Sequence, residues 1–400
     1  MIRFGLPLML GFVAGCHTLS LAPAVKPAPA QLPVTVRSRA EPDVSAVTVD
    51  PAASSPSRPA RYRRLTAAEC RVLAIKNAPL ADELNTHPDN TPPAHSLGKK
   101  RPELAHESRL VRGYAADDIR NRAAGEALEL FYKLAAAEGS FDHAASAHAI
   151  LSKQRESAEK AVAVGAEDRA GVEKLRRQLL ELESQLAKLE AGIAALNAGL
   201  AGRLGLDPAD QTPLWPADPL RVSGEVPDAE QAVACAFKYR PDLNLLRMLV
   251  TDEDPGGELA KEVLRSVNPL LSVADAGSPL AAFVAILKKE PKAAEAKVQR
   301  QLQGVLAARE RQADAEVRAA VAMVRGDLAA VAAKAAEVRN LSKKIAELEK
   351  REMAGQPVLA ELTIARLDLL KLRGELVQAA ADWHISDVKL RQALGLLIRE

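Results

Sequence analysis

The chain has 400 residues, of which 48% are hydrophobic, many of them alanine, and only 3% aromatic. Alanine favours helices, and so few aromatics argue against a β-rich fold. The 54 basic and 52 acidic side chains leave a net charge of +2, so no basic excess points to a nucleic-acid partner.

The chain opens MIRFGLPLMLGFVAGC, with a basic Arg3, an apolar run from Phe4 to Val13 and small residues ahead of Cys16. Residues 1–15 therefore read as a secretory signal, too short to span a bilayer as a stop-transfer helix. The ending Val13-Ala14-Gly15-Cys16 resembles the lipobox of bacterial lipoproteins. That resemblance implies cleavage before Cys16 and acylation of its thiol and new amine; the alternative is an ordinary signal that happens to carry a cysteine. Residues 16–64 are rich in Pro, Ala and Ser without periodicity, the composition of an extended tether. The short basic clusters RYRR at 61–64 and KKR at 99–101 read as solvated surface, with contact to anionic lipid as the alternative.

Regular structure is expected from Leu65, and a Pro-rich stretch divides it, leaving a linker at 209–227 between units at 65–208 and 228–400. The units are copies. A shift of 190 positions without a gap superposes Leu151-Ser152-Lys153 on Leu341-Ser342-Lys343, Gly165 on Gly355, and Leu204-Gly205-Leu206 on Leu394-Gly395-Leu396. Within the first copy, Val172, Leu175, Leu179, Leu182, Leu186, Leu189, Ile193, Leu196 and Leu200 alternate spacings of three and four. Such a seam belongs to a helix that coils against another. The second copy repeats it with Leu362, Leu369, Leu376, Trp383 and Leu390 on one seam position and Ala365, Leu372, Ala379 and Ser386 on the other.

Each copy is thus expected to hold two long helices, at about 116–164 and 171–204 in the first and about 291–353 and 358–397 in the second. At 1.5 Å per residue these are rods of roughly 50 to 90 Å. The short breaks at Gly165 and Gly355 force each pair to return antiparallel. The expected fold is all-α, or α with vestigial β: two tandem coiled-coil hairpins, with a leftover apolar stripe for the other hairpin or another subunit. A shorter element precedes each hairpin, CRVLAIKNAPLADEL at 70–84 and AVACAFKYRPDLNLL at 232–246. Its cysteines, Cys70 and Cys235, sit in apolar runs and read as buried free thiols, although an exported chain could pair them.

The ordered motifs resemble the TolC family, the outer-membrane factors of bacterial efflux pumps and type I secretion systems. The resemblance covers about residues 65–397. It rests on Asn77-Ala78-Pro79-Leu80 and Arg240-Pro241-Asp242-Leu243 ahead of the hairpins, Arg351-Glu352-Met353-Ala354-Gly355 at a bend, and the two Leu-Gly-Leu endings. It implies a trimer, a periplasmic tunnel of twelve helices, an outer-membrane barrel to which each chain gives four strands, and hairpin tips that meet a periplasmic adaptor and, through it, an inner-membrane pump. The tip residues so implied are Gly165, Ala166, Arg351, Gly355 and Gln356. Two departures stand out. NTHPDNTPPAHSLGKKRPELAHESRL, where a first strand pair should lie, is full of proline and charge, and VNPLLSV and LAAFVAIL in the second copy are too short or lack alternation. The tips continue Gly165-Ala166-Glu167-Asp168 and Gly355-Gln356-Pro357-Val358, without the apolar residue and Ser or Thr that the family tends to place there.

No catalytic constellation, phosphate loop or nucleophile motif is present, and no cofactor or metal is expected. His143 and His148 lie five apart, off a shared helix face, and read as surface histidines. Trp215 is expected to pack the linker against a helix, and Trp383 to lie in the core. The expected function is a lipid-anchored outer-membrane transport component facing the periplasm; the alternative is a barrel-less scaffold that keeps the hairpins and conducts nothing.

Overall fold

A computed structural model describes residues 48–49, 62–86, 102–163, 169–207, 209, 212–251 and 295–399. Its elements, in chain order, are β1 (Thr48–Val49), β2 (Arg63–Leu65), α1 (Ala67–Lys76), α2 (Pro79–Thr86), α3 (Pro102–Ala163), α4 (Arg169–Arg203), β3 (Leu214–Pro216), β4 (Leu220–Arg221), α5 (Ala229–Tyr239), α6 (Pro241–Thr251), α7 (Glu295–Met353) and α8 (Leu359–Leu394). The four long helices make this an α protein. The strands are small: β1 pairs antiparallel with β4, and β2 pairs parallel with β3.

Local chemistry sets many boundaries. Thr66 starts α1 with a capping box: its hydroxyl accepts from the Glu69 amide at 3.2 Å, and the Glu69 carboxylate accepts from the Thr66 amide at 2.8 Å. Asp228 caps α5 by accepting from the amides of Glu230 and Gln231. Proline opens α2, α3 and α6, where its fixed φ and missing N–H suit the first turn. Gly205, Gly355 and Gly395 end α4, α7 and α8 with φ of 64°, 80° and 73°. After each, an amide reaches back to the last helical turn: Leu206 to Ala201, Gln356 to Arg351 and Leu396 to Arg391, at 3.0, 3.1 and 3.0 Å. This is the Schellman cap, which needs a left-handed residue and so favours glycine. The repeated Leu-Gly-Leu is a helix stop built twice.

The two hairpins are antiparallel. Along α3 and α4, Arg203 pairs with Glu126, and His148 meets Glu183 at 3.3 Å. Along α7 and α8, Lys334 meets Glu375, Lys344 meets Glu361 and Arg366 meets Glu349, at 2.7, 3.1 and 2.8 Å. Helix α8 packs on both α7 and α3, so the long helices run α4–α3–α8–α7 in spatial order. The leftover stripe of the second copy is thereby assigned to the other hairpin. Gly139 permits a close approach there, since a Cβ on it would lie 2.8 Å from Val377 Cγ1. Asn121 ties the same pair by donating to the Gln392 carbonyl at 2.8 Å.

Buried clusters gather where the short elements meet the hairpins. One joins α3, α5, α7 and α8 through Ala136, Ala236, Val321, Val377 and Trp383. A second joins α2, α3, α6 and α7 through Ala81, Val111, Leu246 and Leu302. A third joins α1, the middle of α3 and the end of α4 through Cys70, Phe131 and Leu200. Cys70 and Cys235 are buried free thiols, and burial pushes the Cys70 thiol up to about 12.

Several expectations need correction. Helix α3 begins at Pro102, well ahead of Ala116, because Val111, Ala115 and Ala116 bury against α2 and α6 and reward the added turns. The seam at 172–200 does face α3, but only Leu179 and Leu200 are buried. Helix α4 lies at one end of the row and has α3 as its single long neighbour, so the rest of its seam stays half-covered. His143 is not a plain surface residue, because burial, then Arg373, lowers its imidazole pKa. Trp215 lies in β3, a strand that packs against α3, with its ring edge-on to Tyr62 at 5.2 Å. Trp383 is a core residue, 5% exposed, as its seam position predicts.

Candidate functional site

The turn between α7 and α8 brings together the three described tip residues, Arg351, Gly355 and Gln356. The Arg351 carbonyl accepts from the Gln356 amide at 3.1 Å, and its guanidinium Nε donates to Gln356 Oε1 at 2.8 Å. Gly355 supplies the left-handed turn, and a Cβ built on it would meet nothing within 4 Å. Beneath the turn, Val358, Leu362, Ala365, Ile345 and Leu348 form their own small core, which fixes the tip's shape. Outside it, Met353 is 81% exposed, Leu359 63% and Ile364 60%. The turn and the first turns of α8 thus present large apolar side chains to solvent. Gly165, Ala166 and Cys16 lie outside the described residues.

At the opposite end of the hairpins, each motif that precedes a hairpin clasps the stop of the same copy. Asn77, the C-cap of α1, donates through Nδ2 to the Arg203 carbonyl at 3.2 Å. Arg240, the C-cap of α5, donates through Nη1 to the Ala393 carbonyl at 3.3 Å. Arg203 and Ala393 are equivalent under the 190-residue shift. Both carbonyls belong to last helical turns, which lack intrahelical donors, so one clasp is made twice with different side chains. In the second copy the backbones also touch: a Cβ on Gly395 would lie 2.8 Å from the Tyr239 carbonyl oxygen and 2.9 Å from Arg240 Cα.

Arg240 does more than cap. Its guanidinium meets Asp242 at 2.9 Å and Glu316 at 2.7 Å, and Arg309 bridges the same two carboxylates at 2.8 and 3.1 Å. Arg240 is 6% exposed and Asp242 3%. Burial pushes the Asp242 carboxyl up, but the bonds and charges of Arg240 and then Arg309 win and hold it below its usual range. Sequence reasoning noted Arg-Pro-Asp as a motif and missed this network, since Arg309 and Glu316 come from α7 with no mark of their own. Among the described residues, no group of three or more His, Cys, Asp and Glu could hold a metal ion. No described helix is long and apolar enough to cross a membrane.

No family model matches the sequence, and no curated protein does. Solved structures do resemble it. The outer-membrane channel OprN shares 14% identity over 90% of this chain and 98% of its own, with a TM-score of 0.55. The outer membrane protein VceC of Vibrio cholerae shares 15% over 73% of this chain and 74% of its own, at 0.51. The Campylobacter jejuni outer membrane channel CmeC shares 12% over 73% of this chain and 66% of its own, at 0.53. The fold is therefore that of the TolC-like outer-membrane channels. Within it this chain is a twice-repeated helical hairpin whose two copies carry matching stops and clasps.

Proposed function

We propose that this chain is a TolC-like outer-membrane efflux or secretion component, a lipoprotein whose helical hairpins form part of a periplasmic conduit. The observation that carries the reading is the row α4–α3–α8–α7 in a fold matching OprN over 98% of that channel's length. The half-covered seam of α4, with Leu182, Leu186 and Leu189 only partly buried, supports assembly with further copies, as a trimer. The exposed apolar tip at Met353 and Leu359 supports docking of a periplasmic adaptor, and through it an inner-membrane pump. Cys16 anchors the protein to the outer membrane. Electron microscopy of the detergent-extracted protein tests the reading: trimeric hollow particles are expected, and monodisperse monomers would refute it. Cys16→Ser should release the protein from the membrane fraction, and mass spectrometry should find acylated Cys16 in the wild type.

One observation favours the second reading, a barrel-less scaffold. Residues 79–86 and 102–116 lie where the first strand pair of a barrel is expected, and they are helical, in α2 and the start of α3. Residues 255–290, the place of the second pair, lie outside the described residues. Planar-bilayer recordings separate the readings: single-channel conductance from the protein alone supports a complete conduit, and its reproducible absence supports the scaffold.

A further inference from the structure

We propose that an aliphatic groove between β2, α1, β3 and the end of α4 binds a fatty-acid carboxylate. The groove is about 590 Å³, inside the range of small-ligand sites. Its floor is Leu65 and Leu214, brought together by the parallel pairing of β2 with β3, with Leu73 from α1 and Leu206 from the turn after α4. Leu65 and Leu214 are buried, and Leu73 and Leu206 are half-buried. At its lip Val72 is 55% exposed, so an aliphatic side chain of α1 is left in solvent beside an aliphatic floor. No aromatic ring lines the groove among the described residues. A flat ligand would find none of the ring-on-ring contacts that favour it, whereas a hydrocarbon chain needs none.

The cationic edge of the groove comes from β2. Arg64 lines it, is exposed, and joins no ion pair among the described residues. Arg63 lines it too but has interactions of its own. Glu69, the carboxylate of the described lining, is held at the start of α1, where its Oε2 accepts from the Thr66 amide and hydroxyl at 2.8 Å each. A neutral hydrocarbon would cover the floor and leave Arg64 to water. A small inorganic anion would meet Arg64 and leave the floor wet. One hydrocarbon chain that ends in a carboxylate does both, and the planar guanidinium fork matches the two carboxylate oxygens. The RYRR cluster at 61–64 thereby gains a member with a ligand of its own.

Photolabelling of the full-length protein, held in solution by a non-ionic amphipol, tests the assignment. The probe is dodecanoate with a diazirine near its methyl end, and mass spectrometry of peptides reads where it attaches. Attachment should saturate and fall on Val72, Leu73 or Leu206. Unlabelled dodecanoate should displace the probe at least about threefold better than dodecanol or phosphatidylglycerol does. Arg64→Gln should weaken dodecanoate by about threefold to tenfold and leave dodecanol unchanged. Val72→Asp should weaken both, and Leu180→Asp on α4 should change neither. Arg64, Val72 and Leu180 are all exposed, so the three variants keep the fold, which circular dichroism checks. Dodecanol competing as well as dodecanoate would overturn the carboxylate half. Phosphatidylglycerol competing equally would give the groove to a membrane lipid and overturn the fatty-acid half. Label spread over other apolar surfaces such as the Met353 turn, or no saturable label at millimolar probe, would overturn the whole.

Discussion

Three glycines of this chain should respond to alanine in a graded way set by their surroundings. Gly326 lies exposed within α7, with ordinary helical φ and nothing within 4 Å of an added Cβ. Alanine there gains helix propensity, about 0.8 kcal/mol. Gly355 is equally open, but its φ is +80°. The left-handed conformation costs a side chain about 1–2 kcal/mol, partly offset by a stiffer unfolded chain, so Gly355→Ala should lose about 1 kcal/mol. Gly395 has φ of +73° and is also crowded by the Tyr239 carbonyl at 2.8 Å, Arg240 Cα at 2.9 Å and Pro241 Cδ at 3.0 Å. These are backbone and ring atoms, which cannot swing away, so overpacking adds about 1–3 kcal/mol. Gly395→Ala should therefore lose about 3 kcal/mol, and the span from Gly326→Ala to Gly395→Ala should be about 4 kcal/mol. Urea unfolding followed by circular dichroism measures all three. Equal losses at Gly355 and Gly395 would refute the close clasp between α5 and the end of α8.

Leu362→Ala, at a fully buried seam position, should cost about 2–4 kcal/mol, whereas Leu180→Ala, 59% exposed, should stay within about 0.5 kcal/mol; the same unfolding curves decide. Arg240→Met leaves Asp242 buried with half its compensation and should cost about 3 kcal/mol, with partial recovery in Arg240→Met/Asp242→Leu. His384 gives a pH signature. Burial, reinforced by Arg391, lowers its pKa from 6.5 to about 4, so between those values the unfolded chain binds more protons. Its contribution is complete above about pH 6.5 and lost as pH falls toward 4, a change of at most about 3 kcal/mol. His384→Phe should flatten that part of the stability-against-pH curve, measured by thermal unfolding from pH 7 to pH 4.

Periodicity and repetition already determined much of this protein. The three-four spacing from Val172 to Leu200 forces an amphipathic helix with one stripe, and the unbroken 190-residue shift forces two like hairpins. The Leu-Gly-Leu endings marked helix stops because a left-handed cap needs a residue without Cβ. Those are local constraints, carried by neighbouring residues. What the sequence left open depends on contacts between distant segments. It did not show that α8 is covered on two sides while α4 stays half-open, since both carry similar seams and only assembly picks their neighbours. Nor did it reveal that Arg240 and Asp242 share their charge with Arg309 and Glu316, because nothing in α7 sets those residues apart from its other solvated charges. The turn at Gly355 was legible as a short break between two long helices, whereas Arg351 and Gln356 were singled out only through the family resemblance. The aliphatic groove beside Arg64 was not legible, because Leu65 and Val72 lie far along the chain from Leu206 and Leu214 and meet them only when β2, α1, β3 and the end of α4 pack around one space.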